Sequence, residues 1–364
     1  MKERKINVLV VDDSAVVREF MVHLLSSDPE IQVIATARNG EEAINAVTAK
    51  KPDVITMDMN MPVINGFEAT RAIMETNPTP IIIVSGSNEP DEVALTFRAI
   101  GSGALTAVSR PPGVDHPEFE KSANHLTQLI KCMAEVKVVR RWPEGRRAER
   151  LPFSSTPGDL RANPRAGEIR IVAMGASTGG PNVLQTILSN VNGCPIPIVV
   201  VQHIATGFVE GFAQWLEQTT GFPVKVAVQG ERLSPGQAYL APDDYHMEVK
   251  ETLHVSLTKD EHDQGLRPSI SHLFRSVAGS LGPKAIGILL TGMGRDGAHG
   301  LKALRDAGGH TIAQDEATSV IFGMPKEAIA IGAVDEVLPT ARIAERLQVL
   351  VRQPQKEMPN WRSQ

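Results

Sequence analysis

Ser177 is the residue best placed to do chemistry. It sits in Ile171-Val172-Ala173-Met174-Gly175-Ala176-Ser177-Thr178-Gly179-Gly180-Pro181. An apolar run ends in a glycine turn that presents a hydroxyl, and an amphipathic run from Pro181 to Leu188 follows. That order reads as strand, sharp turn and helix. Gly175-Ala176-Ser177-Thr178-Gly179 also fits the G-x-S-x-G elbow, whose glycines let the backbone turn tightly and expose the serine. The helix N-terminus behind it favours nearby negative charge. Ser177 is therefore a candidate nucleophile. A phosphate-cradling loop or a plain strand-to-helix turn fits the same short pattern.

A serine hydroxyl attacks near neutral pH only with a base in hydrogen-bond reach and a group that orients the base. His203 ends the apolar run Val199-Val200-Val201-Gln202-His203, and Asp296 follows another in Leu290-Thr291-Gly292-Met293-Gly294-Arg295-Asp296-Gly297. In a parallel sheet, such strand ends share one edge. Ser177 would attack, His203 would carry the proton, and Asp296 would fix the histidine tautomer. Backbone N–H groups of the glycine-rich loop, Met293 foremost, suit a developing oxyanion. His246, His254, His262, His272 and His299 compete for the base role. Asp296 also reads as a turn aspartate. The order Ser, His, Asp differs from the Ser, Asp, His of α/β-hydrolases.

A second constellation occupies the first half. Asp12 and Asp13 follow one apolar run, Asp58 another, Ser85 a third and Arg110 a fourth. Three carboxylates at converging strand ends repel one another unless a hard cation joins them, and Mg²⁺ needs few protein oxygens. A carboxylate held beside Mg²⁺ can attack a phosphoryl donor. Ser85 would bond a phosphate oxygen and Arg110 would pair with its charge. The competing reading is three capping or turn aspartates.

The elements that must position these groups alternate along the chain. Strands are predicted at Ile6 to Val11, Val33 to Ala37, Val54 to Met57, Ile81 to Val84 and Ala104 to Val108, with helical spacing between them. Continuous apolar strands between helices mean a parallel sheet covered on both faces. A second α/β pattern starts at Glu168, with buried strands at Ile169 to Met174, Ile198 to Val201 and Ile286 to Leu290. The alternation at Lys225 to Val228 and His254 to Leu257 suggests hairpins. Between the halves lies a basic, proline-interrupted stretch with Arg140, Arg141, Arg146, Arg147, Arg150, Arg161 and Arg165. It reads as a solvated tether, or as a grip on an acidic partner. A chain of 364 residues fits two domains. A net charge of −5 argues against a general nucleic-acid binder. Two cysteines without paired spacing, Cys132 and Cys194, argue against a disulfide framework and favour the cytosol. No apolar run approaches the roughly 18 residues that span a membrane, and the N-terminus does not read as a signal peptide.

The first 130 or so residues resemble a response-regulator receiver domain. The resemblance rests on Asp12-Asp13-Ser14, Asp58-Met59-Asn60-Met61-Pro62 with Gly66, Val84-Ser85-Gly86 and Ser109-Arg110-Pro111. It implies that Asp58 is the phosphoacceptor. It implies Mg²⁺ held by Asp13, Asp58 and the carbonyl of Asn60, with Asp12 assisting through water. Arginine stands at 110 where the family usually has lysine, and Ala107 stands where it usually has a switch aromatic.

Residues 168 to about 350 resemble the catalytic domain of the CheB family of protein-glutamate methylesterases. Beyond the Ser177, His203 and Asp296 stretches, the match includes Tyr239-Leu240-Ala241-Pro242, Arg267-Pro268-Ser269 and Ala313 to Pro325. This resemblance implies a Ser177, His203, Asp296 triad, the Met293 N–H as oxyanion donor, and Thr178 and Gln202 lining the substrate pocket. It implies γ-methyl esters of glutamate on chemoreceptors as substrate, with deamidation of receptor glutamines as a second activity. A chemotaxis-type histidine kinase would be the phosphodonor, and hydrolysis itself would need no cofactor. The expected architecture is α/β, with two doubly wound parallel sheets. A flavodoxin-like receiver (1–132), a linker (133–167), a Rossmann-like catalytic domain (168–352) and a polar tail (353–364) follow in order. A cytoplasmic monomer is expected, without nucleic-acid or membrane partners. The alternatives are a binding module with an idle catalytic domain, an esterase of a non-chemotaxis sensory array, and a transcriptional regulator. Against the last stands the lack of a clear helix-turn-helix.

Overall fold

A computed structural model describes residues 4–136, 138, 169–191 and 193–351. The first unit alternates β1 (Ile6–Val11), α1 (Ala15–Ser26), β2 (Ile31–Ala37), α2 (Gly40–Lys50), β3 (Val54–Met57), α3 (Gly66–Thr76), β4 (Ile81–Ser85), α4 (Pro90–Ser102), β5 (Thr106–Ser109) and α5 (Phe119–Ala134). Its strands run parallel in the order β2-β1-β3-β4-β5, the flavodoxin-like arrangement. Burial on both faces explains the nearly continuous apolar runs of β3 and β4. Helix starts follow local chemistry. Asn39 and Asn65 accept from the backbone N–H of Glu42 and Glu68, satisfying donors that the first helical turn leaves open.

The second unit contains β6 (Ile171–Ala176), α6 (Gly180–Asn190), β7 (Ile198–Gln202), α7 (Val209–Thr220), β8 (Val224–Val226), β9 (Ala238–Leu240), β10 (His246–Val249) and β11 (Val255–Thr258). It continues with α8 (Ile270–Ser280), β12 (Ala285–Leu289), α9 (Ala298–Asp306), β13 (His310–Gln314), α10 (Met324–Ala330), β14 (Glu336–Leu338) and α11 (Thr340–Val351). Seven strands form a parallel sheet in the order β14-β13-β12-β6-β7-β9-β8. Successive β6 residues face opposite layers. Val172 and Met174 pack with α6, α7 and α11, whereas Ile171 and Ala173 pack with α8, α9 and α10.

Two expectations need adjustment. Val224 to Val226 is not part of a hairpin but a parallel edge strand beside β9. Alternation reports one wetter face and says nothing about the partner strand's direction. Residues 254–257 do lie in an antiparallel pair, β10 with β11. Helix α5 carries order to Ala134, and most of the basic stretch (137 and 139–168) and the tail from 352 lie outside the described residues. Among the described residues no helix is long and apolar enough to cross a membrane.

The two units share a core. Phe97 of α4 is fully buried, with its ring 5.3 Å from Phe212, 5.7 Å from Trp215 and 6.3 Å from Phe208. Asn182 Nδ2 of α6 donates to the carbonyl of Ile100 at 3.3 Å.

Candidate active site

Strand register brings Ser177 and His203 to adjacent strand ends. Ala176 pairs with Gln202 across β6 and β7, so Ser177 and His203 are the first residues past two adjacent strand ends. Adjacent strands lie about 4.8 Å apart. His203 N–H also donates to the Ala176 carbonyl at 2.9 Å. On the other side of β6, β12 leads into the loop carrying Met293 and Asp296. Gly292 allows that loop to approach, because a Cβ there would lie 2.6 Å from Ser177 Cβ. His203 Nε2 lies 3.0 Å from Asp296 Oδ2. An ionised Asp296 only accepts, so the ring proton sits on Nε2 and Nδ1 is left as the basic nitrogen.

Asp296 is held firmly. Oδ1 accepts from Ser269 Oγ at 3.0 Å, Ser271 N–H at 3.0 Å and Gly297 N–H at 2.8 Å, and Oδ2 accepts from Ile270 N–H at 2.8 Å. Several of these donors belong to the N-terminal turn of α8, where N–H groups lack helical partners. Burial alone would raise its pKa. The hydrogen bond from His203, the charge of His203 and the bonds from Ser271 and Ile270 instead hold it well below the carboxylate range.

The surrounding loops are braced. Gln202 Nε2 donates to the carbonyls of Ser177 and His203, both at 2.8 Å, and so ties the Ser177 turn to the end of β7. Thr178 is buried, and its carbonyl accepts from Thr291 Oγ1 at 3.0 Å. Met293 N–H has no acceptor among the described residues, as an oxyanion donor requires.

The carboxylates of the first unit also converge. One oxygen from each of Asp12, Asp13 and Asp58 lies within 4.8 Å of the others, with Asp12 and Asp58 buried. Arg110 Nη2 lies 3.4 Å from Asp12 Oδ2 and 3.8 Å from Asp58 Oδ1. That cation does not neutralise the cluster. Burial first, then the charge of Asp12, pushes the Asp58 pKa up to about 7. Uncompensated buried oxygens of this kind fit a hard divalent cation. Ser85 Oγ donates to the carboxylate of Glu92 and lies 2.7 Å from the Ser87 carbonyl, while Asn60 Nδ2 donates to Glu92 Oε2 at 2.7 Å.

The family model for CheB methylesterases matches residues 172–347, and that for response-regulator receiver domains matches residues 8–116. A protein-glutamate methylesterase/protein-glutamine glutaminase of Nitrosospira multiformis is 53% identical over 95% of this chain and 97% of its own. One from Geobacter metallireducens is 51% identical over 95% and 99%. The chain belongs to the CheB methylesterase family. The CheB catalytic domain of Thermotoga maritima, a solved structure, is 41% identical over 50% of this chain and 99% of its own, with a TM-score of 0.49.

In this CheB-family chain the receiver stands at the mouth of the serine site. Cys132 Sγ of α5 lies 3.9 Å from Met293 Sδ. Val320 and Ile321 of the catalytic unit pack against the receiver core. His125 of α5 is exposed, and partial desolvation first, with the charge of His203 second, lowers its pKa. Sequence reasoning missed the clamp on Asp296 and the contacts of Glu92 with Ser85 and Asn60. Ser269 had a legible signal, a serine just before an amphipathic run. Glu92 had none, because its partners lie 7 and 32 residues away.

Proposed function

We propose that this chain hydrolyses γ-methyl esters of glutamate side chains on chemoreceptors, and deamidates receptor glutamines, through Ser177, His203 and Asp296. The observation that carries the reading is the 3.0 Å contact of His203 Nε2 with a clamped, ionised Asp296, one strand from the Ser177 turn. The family activity in the names of the Nitrosospira and Geobacter relatives supports it.

Nδ1 of His203 accepts the Ser177 proton as Oγ bonds to the ester carbon. Charge on the carbonyl oxygen is met by Met293 N–H. The ester C–O bond, or the amide C–N bond when the substrate is glutamine, then breaks as His203 gives its proton to the departing group, which leaves as methanol or ammonia. Water, deprotonated by His203, attacks the acyl-serine; the C–Oγ bond breaks, His203 returns the proton to Ser177 Oγ, and the glutamate product leaves. Asp296 stays ionised and keeps the imidazole in one tautomer and orientation. Gln202 holds the two reacting strand ends together, and Thr178 supports the pocket.

Asp58 is the phosphoacceptor in this reading, with a chemotaxis-type histidine kinase as donor. Asp12, Asp13, Asp58 and the Asn60 carbonyl would hold Mg²⁺, which neutralises charge on a transferring phosphoryl group. Arg110 pairs with phosphoryl oxygens. The resting receiver denies a bulky protein substrate access, because α5 crowds Met293 while α4 locks onto α7. Residues 1–132 form the receiver and 168–352 the esterase, joined by 133–167 and followed by the tail 353–364. The protein acts as a cytoplasmic monomer.

The test is methanol release from methylated receptors, with and without a small phosphodonor. The donor should raise the rate in wild type, not in Asp58→Ala. Ser177→Ala should release none. An idle catalytic domain would instead make Ser177→Ala indistinguishable from wild type.

A further inference from the structure

Glu92 sits in the first turn of α4 and is only 5% exposed. No ion pair reaches it among the described residues. A buried carboxylate without a cation is costly unless hydrogen bonds satisfy it. Both donors that meet Glu92, Ser85 Oγ and Asn60 Nδ2, belong to the phosphorylation site. The same helix meets the catalytic unit. Val93 and Phe97 are buried against α7, and a Cβ on Gly211 of α7 would lie 2.4 Å from Val93 Cγ1. Position 107 carries only a methyl group, buried at 9% exposure, so no ring is available there to report the site's state.

We propose that Glu92 is the positioning residue that couples the phosphorylation site to the interdomain face, by holding Ser85 and Asn60 at rest and releasing α4 when Ser85 turns away. This rests on Asp58 being the phosphoacceptor. A serine hydroxyl has one proton to donate. Once that proton serves a phosphoryl oxygen on Asp58, Glu92 loses a donor while a second anion arrives nearby. A buried carboxylate in that position moves toward water. Its neighbour Val93 moves with it and loosens the seat of α4 on α7.

The experiment uses the full chain with acetyl phosphate and Mg²⁺. Acylphosphate at Asp58 and the activation ratio, methanol release with donor over release without, are measured on the same samples. E92Q, the similarly sized apolar E92L, S85A and S85A/E92Q are compared with wild type. E92Q and E92L should phosphorylate to within about twofold of wild type, yet lose about tenfold in activation ratio, the effect of one hydrogen bond to a charged group. S85A/E92Q should be no worse than S85A, because the two residues act as one link. Wild-type activation in E92Q and E92L would overturn the proposal, and so would additive losses in the double variant. Failure of both variants to fold would also overturn it, by making Glu92 a structural anchor. A wild-type protein that takes no phosphate at Asp58 would instead overturn the reading beneath it.

Discussion

Gly211→Ala separates domain docking from domain stability. Gly211 lies within α7, so alanine favours the helix by up to about 1 kcal/mol whether or not the receiver is docked. The new Cβ would nonetheless sit 2.4 Å from Val93 Cγ1. Carbon atoms at rest lie about 3.5–4.0 Å apart, so docking requires a shift of about 1 Å. Val93 cannot absorb it easily, being 2% exposed and stiff at χ1. Overpacking of this kind costs about 1–3 kcal/mol. The whole cost falls on the docked state, so the docked population relative to the open one drops about 5–150-fold. Methanol release without phosphodonor should rise at least about fivefold, up to the ceiling set by the fully open enzyme. The melting temperature of the catalytic unit should not fall. Gly279→Ala in α8 is the control, because a Cβ there meets nothing within 4 Å. It should leave the rate untouched. A resting rate in Gly211→Ala equal to wild type would refute the claim that the α4–α7 contact restrains the esterase.

Asp296→Asn should lower kcat about 10⁴-fold while leaving receptor binding intact, measured by methanol release and by pull-down on receptor fragments. Gln202→Leu should lower kcat about tenfold with little change in KM, since two carbonyls lose their shared donor and the Ser177 and His203 turns loosen. Asp58→Asn should remove a pH dependence of stability, read by urea denaturation with a chelator present. The folded Asp58 pKa of about 7 lies above the ordinary unfolded value, so the folded state binds the proton more tightly. Stability from this group is therefore full below about pH 4 and declines as pH rises toward 7. At pH 8 the Asn variant should be more stable by on the order of 1–3 kcal/mol, and Mg²⁺ should stabilise wild type more than the variant.

The strands that carry chemistry were legible because burial on both faces keeps their sequences nearly all apolar. Val54–Met57 and Ile198–Gln202 are read almost to the residue, and strand ends then locate Asp58 and His203. The short strands β8, β9 and β14 were not, since three residues carry too little pattern to fix pairing or direction. His203 was separable from competing histidines by its position at a sheet edge shared with Ser177 and Asp296 and by the family resemblance of its motif. His246 and His272 instead stack on each other at 4.2 Å, where α8 covers β10. The clamp on Asp296 and the link through Glu92 depend on which helix turn faces which loop. Sequence spacing does not encode that.

Covalent labelling tests the central claim most directly. The full chain is treated with a fluorophosphonate, which captures only an activated serine, and the modified peptide is located by mass spectrometry. Wild type should carry a single adduct on Ser177. His203→Ala should label at least about 100-fold more slowly, because the base that activates the hydroxyl is gone. An adduct on another serine, or equal labelling in His203→Ala, would contradict the assignment of Ser177 as a nucleophile activated by His203.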